Sequence, residues 1–205
     1  MAQIVFLDTN VVLDYLENRN QEVRDIIAQL LFFHRSGKII LATSVFNIAE
    51  LIDKEFEIHV IGSLMAEKLS YDEIFKRKGD KKLRRQVAES RRETIKNKVE
   101  EFLFKNEIRI LSLSFTNRSM EETNQESESY EDLYKLIYEH QFSSQDALII
   151  ETALSNEVTY FLSNDSDIVT QIEEKGLMNA YNLREEKQAE SFKNNVLDTL
   201  AEVLR

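Results

Sequence analysis

The sequence predicts an α/β protein: a three-layer α/β/α sandwich on a mainly parallel, five-stranded sheet, with a helical insertion. Three observations predict it. Five short apolar runs recur along the chain, each of strand length. Long stretches with helical spacing separate them. The 205 residues are 42% hydrophobic and include no proline, so a single core can form and nothing interrupts the periodicity. Strands that alternate with helices build a parallel sheet covered on both faces, and right-handed crossovers limit how the strands are ordered.

The strand-like runs are Ile4–Leu7, Lys38–Ala42, Ile108–Leu113, Thr159–Leu162 and Ala180–Leu183. Asn10–Glu17 and Gln21–His34 fill the first gap as helices, with Gly37 as a stop. Ser44 to about Leu69 fills the second, with Ile48, Leu51, Ile52 and Phe56 on one face. A further helix runs through Leu83, Val87, Ile95, Val99, Phe102 and Leu103. Glu131–His140 and Gln145–Leu154 precede the fourth strand, and Ser166–Lys175 follows it. The tail, about 186–205, places Phe192, Val196, Leu197, Leu200, Val203 and Leu204 on one helical face. Ser119–Asp132, "SMEETNQESESYED", is polar and acidic and reads as a mobile loop or the start of a helix. The whole, 1–205, reads as one domain, with a basic helical insertion over about 67–106.

Composition narrows the function. No run approaches the roughly 20 apolar residues of a membrane span, and the N-terminus starts on a strand rather than a cleavable leader. The absence of cysteine rules out disulfides and thiolate metal sites, and three scattered histidines (His34, His59, His140) make a poor zinc site. A cytoplasmic protein with no membrane association is expected. The net charge of −11 argues against a nucleic-acid partner on average, but it is unevenly spread. Lys76–Lys98 holds eleven Lys/Arg and three acids, a local +8 that leaves −19 on the remainder.

Ligands of open α/β sheets bind outside the carboxyl ends of the strands. Asp8 ends the first strand, in "IVFLDTN". Ser163, Asn164, Asp165 and Asp167 follow the fourth, in "YFLSNDSD". Glu50 lies two turns into the helix after the second strand, and Asp146 in the first turn of the helix leading to the fourth. Carboxylates that converge without cationic neighbours repel, unless they are protonated or bridged by cations. Oxygen donors suit hard divalent ions, Mg²⁺ or Mn²⁺. Such ions polarise a phosphoryl oxygen and lower the pKa of a water, the chemistry of phosphodiester hydrolysis.

"IVFLDTNVVLDYL", "SVFNIAEL", "SSQDALIIETAL" and "YFLSNDSDI" resemble, in order, the four acidic motifs of PIN-domain nucleases. Asp8 matches the first-strand aspartate, Glu50 the helical glutamate, Asp146 the aspartate before the next helix, and Asp165 the acid after strand four, with Asp167 as its companion. Asn10 and Ser163 match the small polar positions that support the acids, Ser163 standing where threonine is usual. The resemblance covers roughly residues 2–66 and 141–182. It implies strand order 3-2-1-4-5, Mg²⁺ or Mn²⁺ as cofactor, RNA as substrate, and 5′-phosphate and 3′-hydroxyl products. Many bacterial members resemble toxins of toxin–antitoxin pairs, which implies an antitoxin or other regulatory protein as partner. The chain departs from compact toxin members in its longer helical segment between the Glu50 and Asp146 motifs.

Each feature also has a plainer reading. Asp8 serves equally as a helix cap, Asp146 can close a capping box with Ser143, Asp165 and Asp167 can be turn residues, and Asp14 and Glu17 read as helix surface. Lys81, Lys82, Arg84, Arg85, Arg91 and Arg92 offer phosphate contacts. They can equally be a solvated face, or meet an acidic protein segment. A non-catalytic binding module and a nuclease acting on DNA remain the alternatives to a ribonuclease. For the C-terminal helix, packing on its own domain competes with docking in a homodimer.

Overall fold

The computed structural model describes residues 2–113 and 132–202. The acidic segment around Ser119–Asp132 lies, up to residue 131, outside the described residues, as do Val203 and Leu204. Contacts gather into two compact units: Met1–Asn47 with Ile108–Arg205, and Ile48–Glu107. The second unit starts earlier than the insertion at about 67–106 that the charge run marks out.

The first unit is built on five parallel strands in the order β3-β2-β1-β4-β5, the order the PIN resemblance implies. They are β1 (Gln3–Leu7), β2 (Ile39–Ser44), β3 (Arg109–Leu111), β4 (Tyr160–Ser163) and β5 (Asn179–Asn182). Helices α1 (Thr9–Leu16) and α2 (Gln21–Arg35) link β1 to β2, and α3 (Val45–Ala66) leaves β2. α2 ends at Ser36 and Gly37; the glycine takes φ +72°, a left-handed turn that a side chain would strain. β3 keeps only three of the six residues expected, the shortest strand at a sheet edge.

Alternation along the strands sorts the two faces. Phe6, Ala42, Leu111, Phe161 and Ala180 form one buried cluster with residues of α6 (Ser144–Ser155) and α7 (Ser166–Glu174), including Ala147, Ile150, Val169 and Ile172. Phe6 and Phe161 are paired in register and stack at 5.2 Å. Fully burying each ring stabilises by about 1.5–3 kcal/mol. On the other side α2 packs on β2 and α1. The stretch 135–139 turns as a π-helix rather than the α-helix expected over Glu131–His140.

The C-terminal segment is α8 (Glu186–Phe192), a π turn (Lys193–Leu197) and α9 (Asp198–Glu202). Its apolar face is buried on this unit: the Phe192 ring meets Tyr181 edge-on at 5.2 Å, and Lys193 pairs with Glu22 at 2.7 Å.

The second unit comprises α3 from Ile48 onward, α4 (Tyr71–Arg77) and α5 (Lys81–Lys105). Val60, Leu64 and Val87 form its core, with Phe56, Leu69, Ile74 and Leu83 packed against them. Ser70 and Glu73 close a capping box at α4, and Asp80 caps α5. Among the described residues no helix is long and apolar enough to cross a membrane.

Candidate functional site

Parallel strands all present their carboxyl ends at one sheet edge, and β1 leaves that edge on Asp8. The residue is extended (φ −73°, ψ 157°) and caps α1, its Oδ1 accepting from Thr9 N at 2.8 Å. Capping is only part of its bonding. Oδ1 also accepts from Asn47 Nδ2 at 2.7 Å, and Oδ2 accepts from Ser163 Oγ at 2.6 Å. Asp8 is 4% exposed. Short bonds from groups on α3 and β4 therefore fix a buried carboxylate in one orientation.

Those donors are themselves held. Asn47 Nδ2 also donates to Thr9 Oγ1 at 3.1 Å, Thr9 Oγ1 donates to Asn47 O at 3.3 Å, and Asn47 Oδ1 accepts from Ser44 Oγ. The end of β2, the first turn of α3 and the start of α1 are thereby interlocked. Ser163, fully buried at the end of β4, is a hub. Its Oγ serves Asp8, accepts from Asn10 Nδ2 at 3.2 Å and accepts from Asp165 N at 3.1 Å. Asp165 in turn caps α7, Oδ1 accepting from Asp167 N at 2.9 Å and Ile168 N at 3.3 Å.

Asp8, Asn10, Ser163 and Asp165 thus meet around one hydroxyl. Asp146 stands in the first turn of α6, paired with its cap: Ser143 Oγ donates to Asp146 Oδ2 at 2.6 Å and accepts from Asp146 N at 3.2 Å. The adjacent Ala147 packs in the cluster of Phe6 and Ala42. Asp167 is exposed in the first turn of α7. Glu50 belongs to the second unit, half-buried on α3.

Asp14 departs from its expected place on a helix surface. It is 1% exposed and takes a bidentate ion pair from Arg184, Nε to Oδ2 at 2.8 Å and Nη2 to Oδ1 at 2.7 Å. Asn164 Nδ2 adds a bond to Asp14 Oδ2 at 2.9 Å. The Asp14 hydrogen bonds hold the Arg184 guanidinium above its already high pKa. Asn47, Asp14 and Arg184 were not singled out from the sequence for the site, and Asn164 was placed only among the polar residues after the fourth strand. Of the three not singled out, only Asn47 had a local signal, three residues after Ser44 at a helix start.

The oxygen-rich donor set fits a hard divalent cation in its chemistry. Among the described residues, Asp146, Asp165 and Asp167 form no ion pair, and Asn164 Oδ1 is a buried acceptor without a hydrogen-bond partner. As the side chains stand, no group of three or more histidines and carboxylates is gathered to hold a metal among the described residues. Elsewhere in this unit, burial first and repulsion from Asp132 second push the half-buried Glu151 carboxyl up to about 7.

In the second unit, Lys81, Lys82, Arg85, Arg91 and Arg92 are exposed. Arg84 is engaged, stacked over Phe56 at 4.7 Å and 3.9 Å from Asp53. Arg77–Glu67, Lys78–Glu57, Lys98–Glu55 and Arg85–Glu89 are also paired. Across Ile48–Glu107, fourteen Lys/Arg meet thirteen Asp/Glu, so the local +8 is largely balanced within its own unit.

The chain is similar in structure to VapBC2 from Rickettsia felis, solved in a crystal bound to a DNA fragment from their promoter. The likeness is one of fold. It has a TM-score of 0.50 at 14% identity, over 87% of this chain and 97% of that one. No protein-family model matches the sequence, and no curated protein matches it.

Proposed function

We propose that the first unit carries a divalent-cation site for phosphodiester hydrolysis, with RNA as substrate. The observation that carries the reading is the Asp8 carboxylate, buried at the carboxyl end of β1 and held by Asn47 and Ser163. The same Ser163 hydroxyl accepts from the backbone of Asp165. The order of acidic motifs and the sheet order 3-2-1-4-5 support it. Asp8 and Asp165 would hold Mg²⁺ or Mn²⁺, with Asp146 and Asp167 contributing directly or through water. The resemblance also gives Glu50 a role, which the activity of Glu50→Gln measures. When bound, the cation would polarise a phosphoryl oxygen and lower the pKa of a water.

The chain's own part is orientation. Ser163 and Asn47 keep the Asp8 oxygens aimed, and Asn10 keeps Ser163 from turning. Attack by water on phosphorus breaks the P–O3′ bond; hydroxyl goes to phosphorus and the proton to O3′, leaving 5′-phosphate and 3′-hydroxyl ends. Exposed Lys81, Lys82, Arg91 and Arg92 would contact phosphates. The toxin-type resemblance adds an antitoxin or other regulatory protein partner, and the composition supports a cytoplasmic setting.

Labelled RNA with Mn²⁺ tests the reading. Cleavage is expected from the wild type, none in EDTA, and a loss of at least about 100-fold in Asp8→Asn. Cleavage that survives EDTA or Asp8→Asn rejects it. The acidic motifs do not separate RNA from DNA, so DNA is the competing substrate in the same assay. RNA binding that survives loss of the acids, without cleavage, would instead favour a non-catalytic module.

A further inference from the structure

Asp14 sits in the interior of α1 at 1% exposure. A carboxylate there costs solvation that an apolar residue would not, so a packing role alone does not explain it. What the charge does locally is hold three donors. Arg184 grips both oxygens, and Asn164 Nδ2 shares Oδ2. Asn164 is the residue between Ser163 and Asp165. Its backbone N donates to Asn10 Oδ1 at 2.7 Å, and its Nδ2 also reaches Asn10 O at 3.3 Å. The amide takes this orientation although its Oδ1 is left buried without a partner.

Arg184 is itself anchored at the end of β5. Its backbone N donates to Asn182 Oδ1 at 2.9 Å, and Leu183 N donates to Ser163 O at 3.1 Å. One chain of bonds therefore runs from β5 through α1 to the turn after β4.

We propose that Arg184 is a positioning residue, gripping Asp14 so that Asn164 is held and the turn carrying Asp165 is fixed beside Asp8. The proposal rests on the reading of Asp8 and Asp165 as cation-holding residues. The guanidinium suits the task, because its planar fork sets both carboxylate oxygens at once, which a lysine does not.

Two measurements on the full chain test it, and the first involves no metal. In Arg184→Met, hydrogen exchange of the Asn164 and Asp165 amides is expected to rise about 10-fold, while Phe161 within β4 keeps its protection. The Mn²⁺ dissociation constant, measured on folded protein by titration, is expected to rise about 10-fold, with Arg184→Lys falling between. If Arg184→Met does not fold, Arg184→Lys and Asn164→Ala carry the comparison. Unchanged exchange, or unchanged Mn²⁺ affinity in variants of a wild type that binds Mn²⁺, overturns the positioning role alone. A wild type that takes up no Mn²⁺ overturns the cation reading, and this proposal with it.

Discussion

The two units use polar residues in opposite ways. In the sheet unit, Asp8, Asp14, Asn47, Ser163 and Asn182 are buried, and short hydrogen bonds fix each one. In the helical unit, Glu55 is the only buried charged residue among those described. Apart from Lys98, which pairs with it, most cations of this unit are exposed or paired at the surface. Dipoles fixed away from water hold a charge in one place without reorganising. Exposed ion pairs contribute about 0–1 kcal/mol and shift easily. The proposed hydrolysis, which demands geometry, is therefore assigned to the sheet unit, and the phosphate contacts proposed for the helical unit would be salt-dependent.

Removing the hub hydroxyl is the strongest way to break that contrast. Ser163→Ala is expected to lower RNA cleavage about 10–100-fold, since it frees both Asp8 Oδ2 and the Asp165 backbone from a common partner. Ser163→Thr, which keeps the hydroxyl, is expected to retain most activity. An active Ser163→Ala enzyme would mean that buried fixation is not what the site depends on.

The helical unit is probed by replacing Lys81, Lys82, Arg91 and Arg92 together with glutamine. RNA affinity is expected to fall about 10-fold, with the slope of log affinity against log salt shallower by about 3. Cleavage of short substrates at saturation should change little. Affinity and slope that stay as in the wild type would reduce this face to a solvated surface.

Glu151 separates burial from pairing within the sheet unit. Its carboxyl is pushed up to about 7 in the folded protein, against an ordinary glutamate value of 4.5. Between those values the folded state keeps a proton that the unfolded state has lost. Stability therefore falls as pH rises from about 4.5 to 7, and stays lowered above. Glu151→Gln is expected to stabilise by about 1–2 kcal/mol at pH 8, discounted for partial solvent screening, and by little at pH 4.5. Urea unfolding of both proteins at the two pH values reads this directly. A gain that does not vary with pH would assign the effect to packing instead.

The smallest effect is expected at a surface pair. Arg85→Ala removes an exposed i,i+4 bridge to Glu89 and should cost less than about 0.5 kcal/mol in the same assay. A cost of more than about 1 kcal/mol would show the helical unit to be pinned as the sheet unit is.

The central strands β1, β2 and β4 were legible because each is a largely buried apolar run between polar stops, and Asp8 and Ser163 because they stand where β1 and β4 end. α4 escaped as a separate helix, although Ser70 and Glu73 stand at capping-box spacing at its start and Asp80 stands after it. Asp14 was misread for a physical reason. α1 is buried on more than one face, through Val11, Val12 and Leu13, so helical period does not mark its solvent side. Its partner Arg184 is 170 residues away, and no local pattern announces that pairing. The charge balance of the basic run was only half legible, because a count along the chain does not see Asp53, Glu57 and Glu67 across the unit.

The most direct test of the central claim is anomalous scattering from a crystal of the chain soaked with Mn²⁺. A peak bonded to carboxylate oxygens of Asp8 and Asp165, lost in Asp8→Asn crystals, is the expected result. A protein that cleaves RNA in Mn²⁺ while its peak lies elsewhere, or is absent, would contradict it.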